Sequence, residues 1–213
     1  MNSSPVALSE LLSRATSDTS AAPDATAERI IDAAVAESAA VGLDRLRMED
    51  VVRRSGLGRT TVYRRFPTRD ELVRALATRE TRRFLSAVSA GIDSVEAPSE
   101  RVVEAFVAAV SFARKHPMMR RMAETAPGSV VDLAHAPDAE LFAAGTAFIT
   151  RQLHGANPGE PSREARWVAD VFARLFLTYL ALPPVDPDVR DDTELRAFAQ
   201  AVLIPMAERV TPS

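Results

Sequence analysis

The sequence predicts an all-α protein, and three observations carry that prediction. Apolar side chains recur three and four residues apart through most of the chain beyond residue 25. β-Branched and aromatic residues rarely alternate with polar ones for more than a few positions, so strand signals are weak. Pro98, Pro117, Pro127, Pro137, Pro158 and Pro161, and the cluster Pro183, Pro184 and Pro187, cut the second half into segments of helical length. With 213 residues the chain is long enough for one substantial core or two smaller ones.

Taken in order, residues 1–24 are rich in Ser, Ala, Thr and Pro and read as a disordered tail. A first helix is expected from Thr26, a competent N-cap, to Gly42, with Ile30, Ile31, Ala34 and Val41 as its apolar stripe. A short helix follows over Met48–Arg54 and another over Arg59–Phe66, where Pro67 ends it. The next is longer, from the N-cap Thr68 to Ala90, with Asp70 and Glu71 in the first turn and Leu72, Leu76, Phe84 and Val88 inward. Beyond Gly91, helices are expected near 99–115, 117–125, 138–154, 162–182 and 192–210. The resulting division is a tail over 1–24, a small domain over 25–70 and a larger helical domain over 71–213.

Composition excludes several functions. The chain has no cysteine, which rules out disulfides, thiolate metal sites and cysteine nucleophiles and suits a reducing cytoplasm. Met1–Ser20 has no basic start and no sustained apolar run, and no stretch approaches the ~18 apolar residues of a membrane span. A cytoplasmic protein without membrane contact is expected. No Gly-rich phosphate loop, metal-ligand helix pair or Ser/His/Asp signature is present, so neither an enzyme nor a cofactor is expected. His116, His135 and His154 are scattered and read as surface or core-edge residues, not metal ligands. The net charge is −3, yet Leu43–Arg74 holds nine arginines against five acids. That pattern describes a small basic surface on an acidic body.

The basic stretch has a specific organisation. Val51 and Val52 lie in the short helix, Gly56 supplies a turn needing φ > 0, and Leu57 plugs the corner. Val62 and Phe66, four residues apart, face the first helix. Arg59, Thr60, Thr61, Tyr63, Arg64 and Arg65 remain on or beside the outer face. Helix, glycine turn and second helix form a helix-turn-helix, whose second helix enters the major groove of double-stranded DNA. Guanidinium groups suit guanine edges and phosphates, while Thr and Tyr hydroxyls suit backbone or a thymine neighbour.

The run from Ile30 to Leu72 also resembles the N-terminal domain of the TetR family of bacterial regulators. The matching elements are Ile30–Ala34, Gly42, Met48–Val51, Ser55–Leu57 and Thr61–Leu72. The resemblance implies a three-helix DNA-binding domain followed by a larger helical domain that binds a small molecule and dimerises. It implies base and phosphate contacts for Arg59, Thr60, Thr61, Tyr63, Arg64 and Arg65, and a phosphate contact for Arg69, where family members usually carry lysine. Three positions depart from the pattern. Arg47 replaces the usual Ser or Thr cap and is expected to meet a phosphate instead. Gly58 replaces a capping serine, and Ser38 replaces a core aromatic whose space Leu57 or Phe66 would fill. With both caps missing, the reading head is expected to order on DNA.

In the larger domain the segment 162–182 is apolar on more than one side, through Trp167, Val168, Val171, Phe172, Leu175, Phe176 and Tyr179. The resemblance implies that it pairs, with the segment 192–210, against a second copy as a homodimer on a near-palindromic operator. Phe106, Val110, Met118, Met122, Phe142, Thr146, Trp167, Val171 and Tyr179 are the candidate lining for a small, largely hydrophobic effector. The expected function is a ligand-responsive repressor. The alternative is a DNA-binding regulator without a small-molecule ligand, controlled by a protein partner or by expression level.

Overall fold

Helix α1 (Ala25–Val41) begins where Asp24 turns its carboxylate back on the chain, accepting from the amides of Thr26 at 3.0 Å and Ala27 at 3.3 Å. Asp24, rather than Thr26, is therefore the N-cap, since its carboxylate is ionised and answers two first-turn amides together. Gly42 ends the helix at φ 92°, and a short 3-10 turn over Leu43–Arg45, not anticipated from the sequence, leads into α2 (Met48–Ser55). Gly56 takes the left-handed conformation at φ 64°, and α3 (Arg59–Arg65) follows. The computed structural model describes residues 24–125, 128, 139–154, 159–182 and 191–210, so the remainder of the expected 1–24 tail lies outside it. The described residues form nine α-helices and this 3-10 turn, with no strand among them.

Ile30, Ala34, Leu46, Val51, Val62, Phe66, Leu72 and Leu76 build the core of the N-terminal domain, each with 4 % or less of its surface exposed. Val41, expected inward, is instead one of the exposed apolar residues at the end of α1. Two ion contacts brace α1 against α2: Arg54 donates to Glu37 at 2.7 Å, and the Arg29 Nε donates to the Ser55 carbonyl at 2.8 Å. Ser38 is buried, and its hydroxyl has no hydrogen-bond partner among the described residues. Phe66 is fully in the core and Leu57 half-buried against it.

Gly56 is constrained twice. Its positive φ disfavours any side chain, and a Cβ there would lie 3.0 Å from the Arg29 guanidinium. Gly56→Val is expected to lower stability by about 1–2 kcal/mol from the left-handed backbone alone, measured by urea unfolding. Displacing Arg29 from Ser55 adds to that cost, so an unchanged midpoint would contradict the described turn.

Helix α4 (Arg69–Ile92) starts at Thr68, whose hydroxyl accepts from the Glu71 amide at 3.2 Å. It runs through Gly91 rather than ending before it. A Cβ on Gly91 would stand 2.9 Å from the Cβ of Ala108 on α5 (Pro98–Lys115). This glycine marks a close approach between the two helices, not a helix end. Arg101 then caps the end of α4, its Nη1 donating to the carbonyls of Ile92 and Val95.

Helices α5, α6 (Pro117–Thr125), α7 (Ala139–His154), α8 (Arg163–Ala181) and α9 (Asp192–Glu208) make the second domain. Helix α5 runs through its centre, packed on α4, α6, α7, α8 and α9. Its buried face, Val102, Val103, Phe106, Val107 and Val110, meets Phe172 of α8 and Leu195, Ala199 and Leu203 of α9. Polar ties fix the register of α9 on α5: Arg196 makes a two-pronged contact with Glu104, and Asp192 accepts from Ser111 and Lys115.

Candidate DNA-binding surface and its link to the second domain

The structure sorts the eight residues expected to meet DNA by what they touch in the free protein. Arg47, Thr60 and Arg64 are exposed, and Thr61 is half-buried. Arg59 and Tyr63 converge on Glu49 of α2: the tyrosine hydroxyl donates to Glu49 Oε1 at 3.0 Å, and an Arg59 nitrogen stands 3.6 Å from the same oxygen. The Arg59 guanidinium also lies over the Tyr63 ring, 5.0 Å from its centroid. Glu49 is held below the usual carboxylate range, first by its own backbone amide and then by Tyr63. Desolvation and the Glu49 bond push the Tyr63 hydroxyl up, so it stays a donor.

Arg65 donates to Asp24 at 2.7 Å and lies over the Phe66 ring. That hydrogen bond, followed by the Ala27 amide, draws the Asp24 carboxyl below its ordinary value. Arg69 points into the fold, its Nε donating to the Leu46 carbonyl at 3.0 Å and its Nη2 to the Leu43 carbonyl at 2.8 Å. A lysine has no such fork, so arginine here anchors the 3-10 turn as well as carrying charge. Neither Arg47 nor Gly58 provides a side-chain cap for the helix it opens. The role of Glu49 was not read from the sequence: its position opposite Tyr63 depends on the angle between α2 and α3.

A buried polar chain connects this domain to the second one. Arg79 of α4 reaches Glu28 at 3.0 Å and Asp32 at 2.7 Å, both on α1, and its neighbour Glu80 at 2.7 Å. Glu80 in turn lies 2.9 Å from the Nε2 of His116, the residue between α5 and α6. The Met119 amide donates to Nδ1, so a neutral His116 ring carries its proton on Nε2 and donates it to Glu80. His116 is buried and stacked on Phe112, at a core edge as the sequence suggested, but in a polar role nothing in the sequence signalled. Burial works to raise the Glu80 carboxyl, and the bonds from His116 and Arg79 outweigh it and hold it low.

The nine residues expected around an effector fall in five places. Phe106 and Tyr179 meet edge to face, with centroids 5.7 Å apart, and Tyr179 also packs on Phe198. Val110 lies in the same core. Met118 packs instead against the N-terminal core, and Met122 against Ala113, Leu180 and Ala181. Phe142 and Thr146 line an open groove between α7 and α8 of about 540 Å³. Trp167 and Val171 are exposed, on the side of α8 away from Phe172.

Residues 30–76 match the family model described as bacterial regulatory proteins, tetR family. The match assigns this N-terminal segment, rather than the whole chain, to the TetR family. The chain is 28% identical over 193 residues to the HTH-type transcriptional regulator Rv1255c of Mycobacterium tuberculosis, an alignment covering 88% of this chain and 86% of that one. Its fold is similar to the TetR family repressor AlkX of a Dietzia strain (TM-score 0.56, 19% identity, 90% of this chain and 100% of that chain). It is similar also to a TetR-like transcriptional regulator of Rhodococcus sp. RHA1 (TM-score 0.59, 17% identity, 89% and 97%). The matched segment is the one that carries the helix-turn-helix, and the relative is likewise described as an HTH-type transcriptional regulator. Among the described residues, no helix is long and apolar enough to cross a membrane.

Proposed function

We propose that this TetR-family regulator is a homodimeric repressor that binds a near-palindromic operator and is released by a small, largely hydrophobic effector. The observation that carries the reading is the α2–Gly56–α3 unit, seated on a filled core with Arg64 and Thr60 presented to solvent. On this reading residues 25–70 form the reading head and 71–213 the effector and dimerisation domain. Helix α3 lies in the major groove, Arg64 and Thr60 contact it directly, and Thr61 stands beside them. Arg59 and Tyr63 exchange Glu49 for DNA, and Arg65 exchanges Asp24. Arg47 meets the phosphate backbone. Glu49 also repels phosphate when no DNA group has replaced it, which favours correctly seated sites over loose ones.

Two features support the remaining parts. Trp167 and Val171 on α8 and Val202 on α9 are large apolar residues exposed on the last two helices, as expected of a dimer face. The chain Asp32–Arg79–Glu80–His116 couples α1, α4 and the α5–α6 junction, so a shift of α5 or α6 reaches the reading head. A coupling of ~1–3 kcal/mol lowers operator affinity about 5–150-fold. The second reading, a regulator without a small-molecule ligand, is favoured by one observation: Phe106, Tyr179 and Phe198 pack on one another in the second domain.

The test uses sites that the wild-type protein selects from a random-sequence duplex pool. Arg64→Ala is expected to weaken binding to these sites by about 5–150-fold, the ~1–3 kcal/mol of one bidentate base contact, with little change on unrelated duplex. Equal affinity of variant and wild type for the selected site would remove Arg64 from the contact set.

A further inference from the structure

An open pocket of about 640 Å³ lies between the end of α1, the 3-10 turn, the start of α2 and α6. Its polar wall holds Arg45, Arg47, Arg69 and Arg121 against Asp44 and Asp50. Four guanidinium groups face two carboxylates, and Asp50 is already engaged by Arg53 at 2.8 Å. The pocket therefore carries a surplus of positive charge. Three of its arginines belong to the reading head, whereas Arg121 comes from α6 in the second domain.

Arg121 is the informative member. Its Nε is buried, and that donor has no hydrogen-bond partner among the described residues. An enclosed guanidinium nitrogen without an acceptor leaves the Arg121 charge poorly compensated, and an anion in the adjacent opening stabilises that charge through space without reaching Nε itself. Arg69, by contrast, has two of its nitrogens fixed by the Leu43 and Leu46 carbonyls, which pins its charge at the pocket wall. Fixed guanidinium groups around a concave opening suit an oxyanion with several acceptor oxygens, and phosphate is the best match in charge and shape.

We propose that this pocket is a site for one phosphate-type oxyanion and that Arg121 joins Arg45, Arg47 and Arg69 in holding it. The proposal deepens the DNA-binding reading, because a DNA backbone phosphate is one source of that group. A free phosphorylated metabolite is the other. With either source, the bound anion ties α6 of the second domain to α1 and the 3-10 turn of the reading head. Occupancy thus favours a single arrangement of the two domains, and an effector that moves α6 weakens anion binding by the same factor.

The test uses the full chain and has two arms. In the first, pyrophosphate is titrated into the DNA-free protein at constant ionic strength, followed by calorimetry and amide chemical shifts. In the second, the salt dependence of binding to a fixed duplex is measured. The variants are Arg121→Gln, Arg121→Lys and the exposed Arg45→Gln, with melting curves confirming that each is folded. If a backbone phosphate occupies the site, Arg121→Gln reduces the slope of log K against log salt by about 0.9, while Arg121→Lys reduces it less. If a free phosphorylated ligand occupies it, pyrophosphate binds saturably and Arg121→Gln and Arg45→Gln each lower its affinity about tenfold or more, as a lost charge-assisted bond does. Pyrophosphate that does not bind, together with an unchanged slope in folded Arg121→Gln, overturns the proposal. A wild-type protein that binds no duplex would refute the DNA reading alone, because the pyrophosphate arm does not use DNA.

Discussion

Arg79→Met is expected to destabilise the protein by about 3–5 kcal/mol, the cost of removing one partner from a buried ion pair. Urea unfolding at fixed protein concentration measures it. The loss is large because Glu80 remains behind with 3 % of its side chain exposed, held by His116 at 2.9 Å and by the largely exposed Arg83 only at 3.5 Å. Glu28 and Asp32, with 46 % and 68 % exposed, turn to water at little cost. The double variant Arg79→Met/Glu80→Met removes the stranded charge and is expected to recover part of the loss. Additive losses in the two single variants would show that Arg79 and Glu80 do not act as a pair.

The same network sets a pH dependence. The folded Glu80 carboxyl lies below its ordinary value, so it binds fewer protons folded than unfolded through the ordinary glutamate range. Its contribution is therefore complete above that range and is lost as pH falls toward the lower, folded value. Glu80→Gln is expected to flatten this acid limb of the stability curve while lowering stability at neutral pH. An acid limb of the same steepness in the variant would place the effect on other carboxylates, Asp24 and Asp192 among them.

Phe172→Ala is expected to cost about 3–5 kcal/mol, because its ring is enclosed and α5 and α9 cannot close the cavity it leaves. Phe172 has 1 % of its surface exposed and meets the central face of α5. Trp167, five residues earlier on the same helix, is 56 % exposed and touches the Arg163 guanidinium from above its ring. Trp167→Ala should cost folding at most about 1 kcal/mol, the scale of an exposed cation–π contact. On the proposed dimer its expected effect is on assembly, where truncating a buried interface tryptophan costs about 2 kcal/mol, a roughly 30-fold rise in the dimer dissociation constant. Sedimentation equilibrium at several concentrations separates the two variants. A dimer unaffected by Trp167→Ala would remove α8 from the interface.

The helix-turn-helix is legible from the order of the residues alone. Its signals are local: Gly56 must reverse the chain, Val62 and Phe66 must share a face, and Thr68 must cap the helix after it. These follow from backbone sterics and a 3.6-residue period, which act within a few residues. The order and approximate bounds of the helices were legible for the same reason. Where local rules compete, the structure chose. Asp24 caps α1 in place of Thr26, and Gly91 sits inside a helix because Ala108 needs the room.

What the charges do depends on how the helices pack. The sequence shows a run of arginines from 45 to 74 but not that Glu49 holds Arg59 and Tyr63, or that Arg69 turns inward to carbonyls. It gives no sign that Arg79 meets Glu28 or that Glu80 meets His116, because partners 51 and 36 residues apart are brought together by helix packing rather than spacing. The effector candidates fared alike: apolar character selected them, while their division among three buried clusters, an open groove and an exposed face depends on how the helices are arranged. A basic helix-turn-helix could be read from residues in order. Its acidic partner, its anchor and its link to the second domain required the angles between helices.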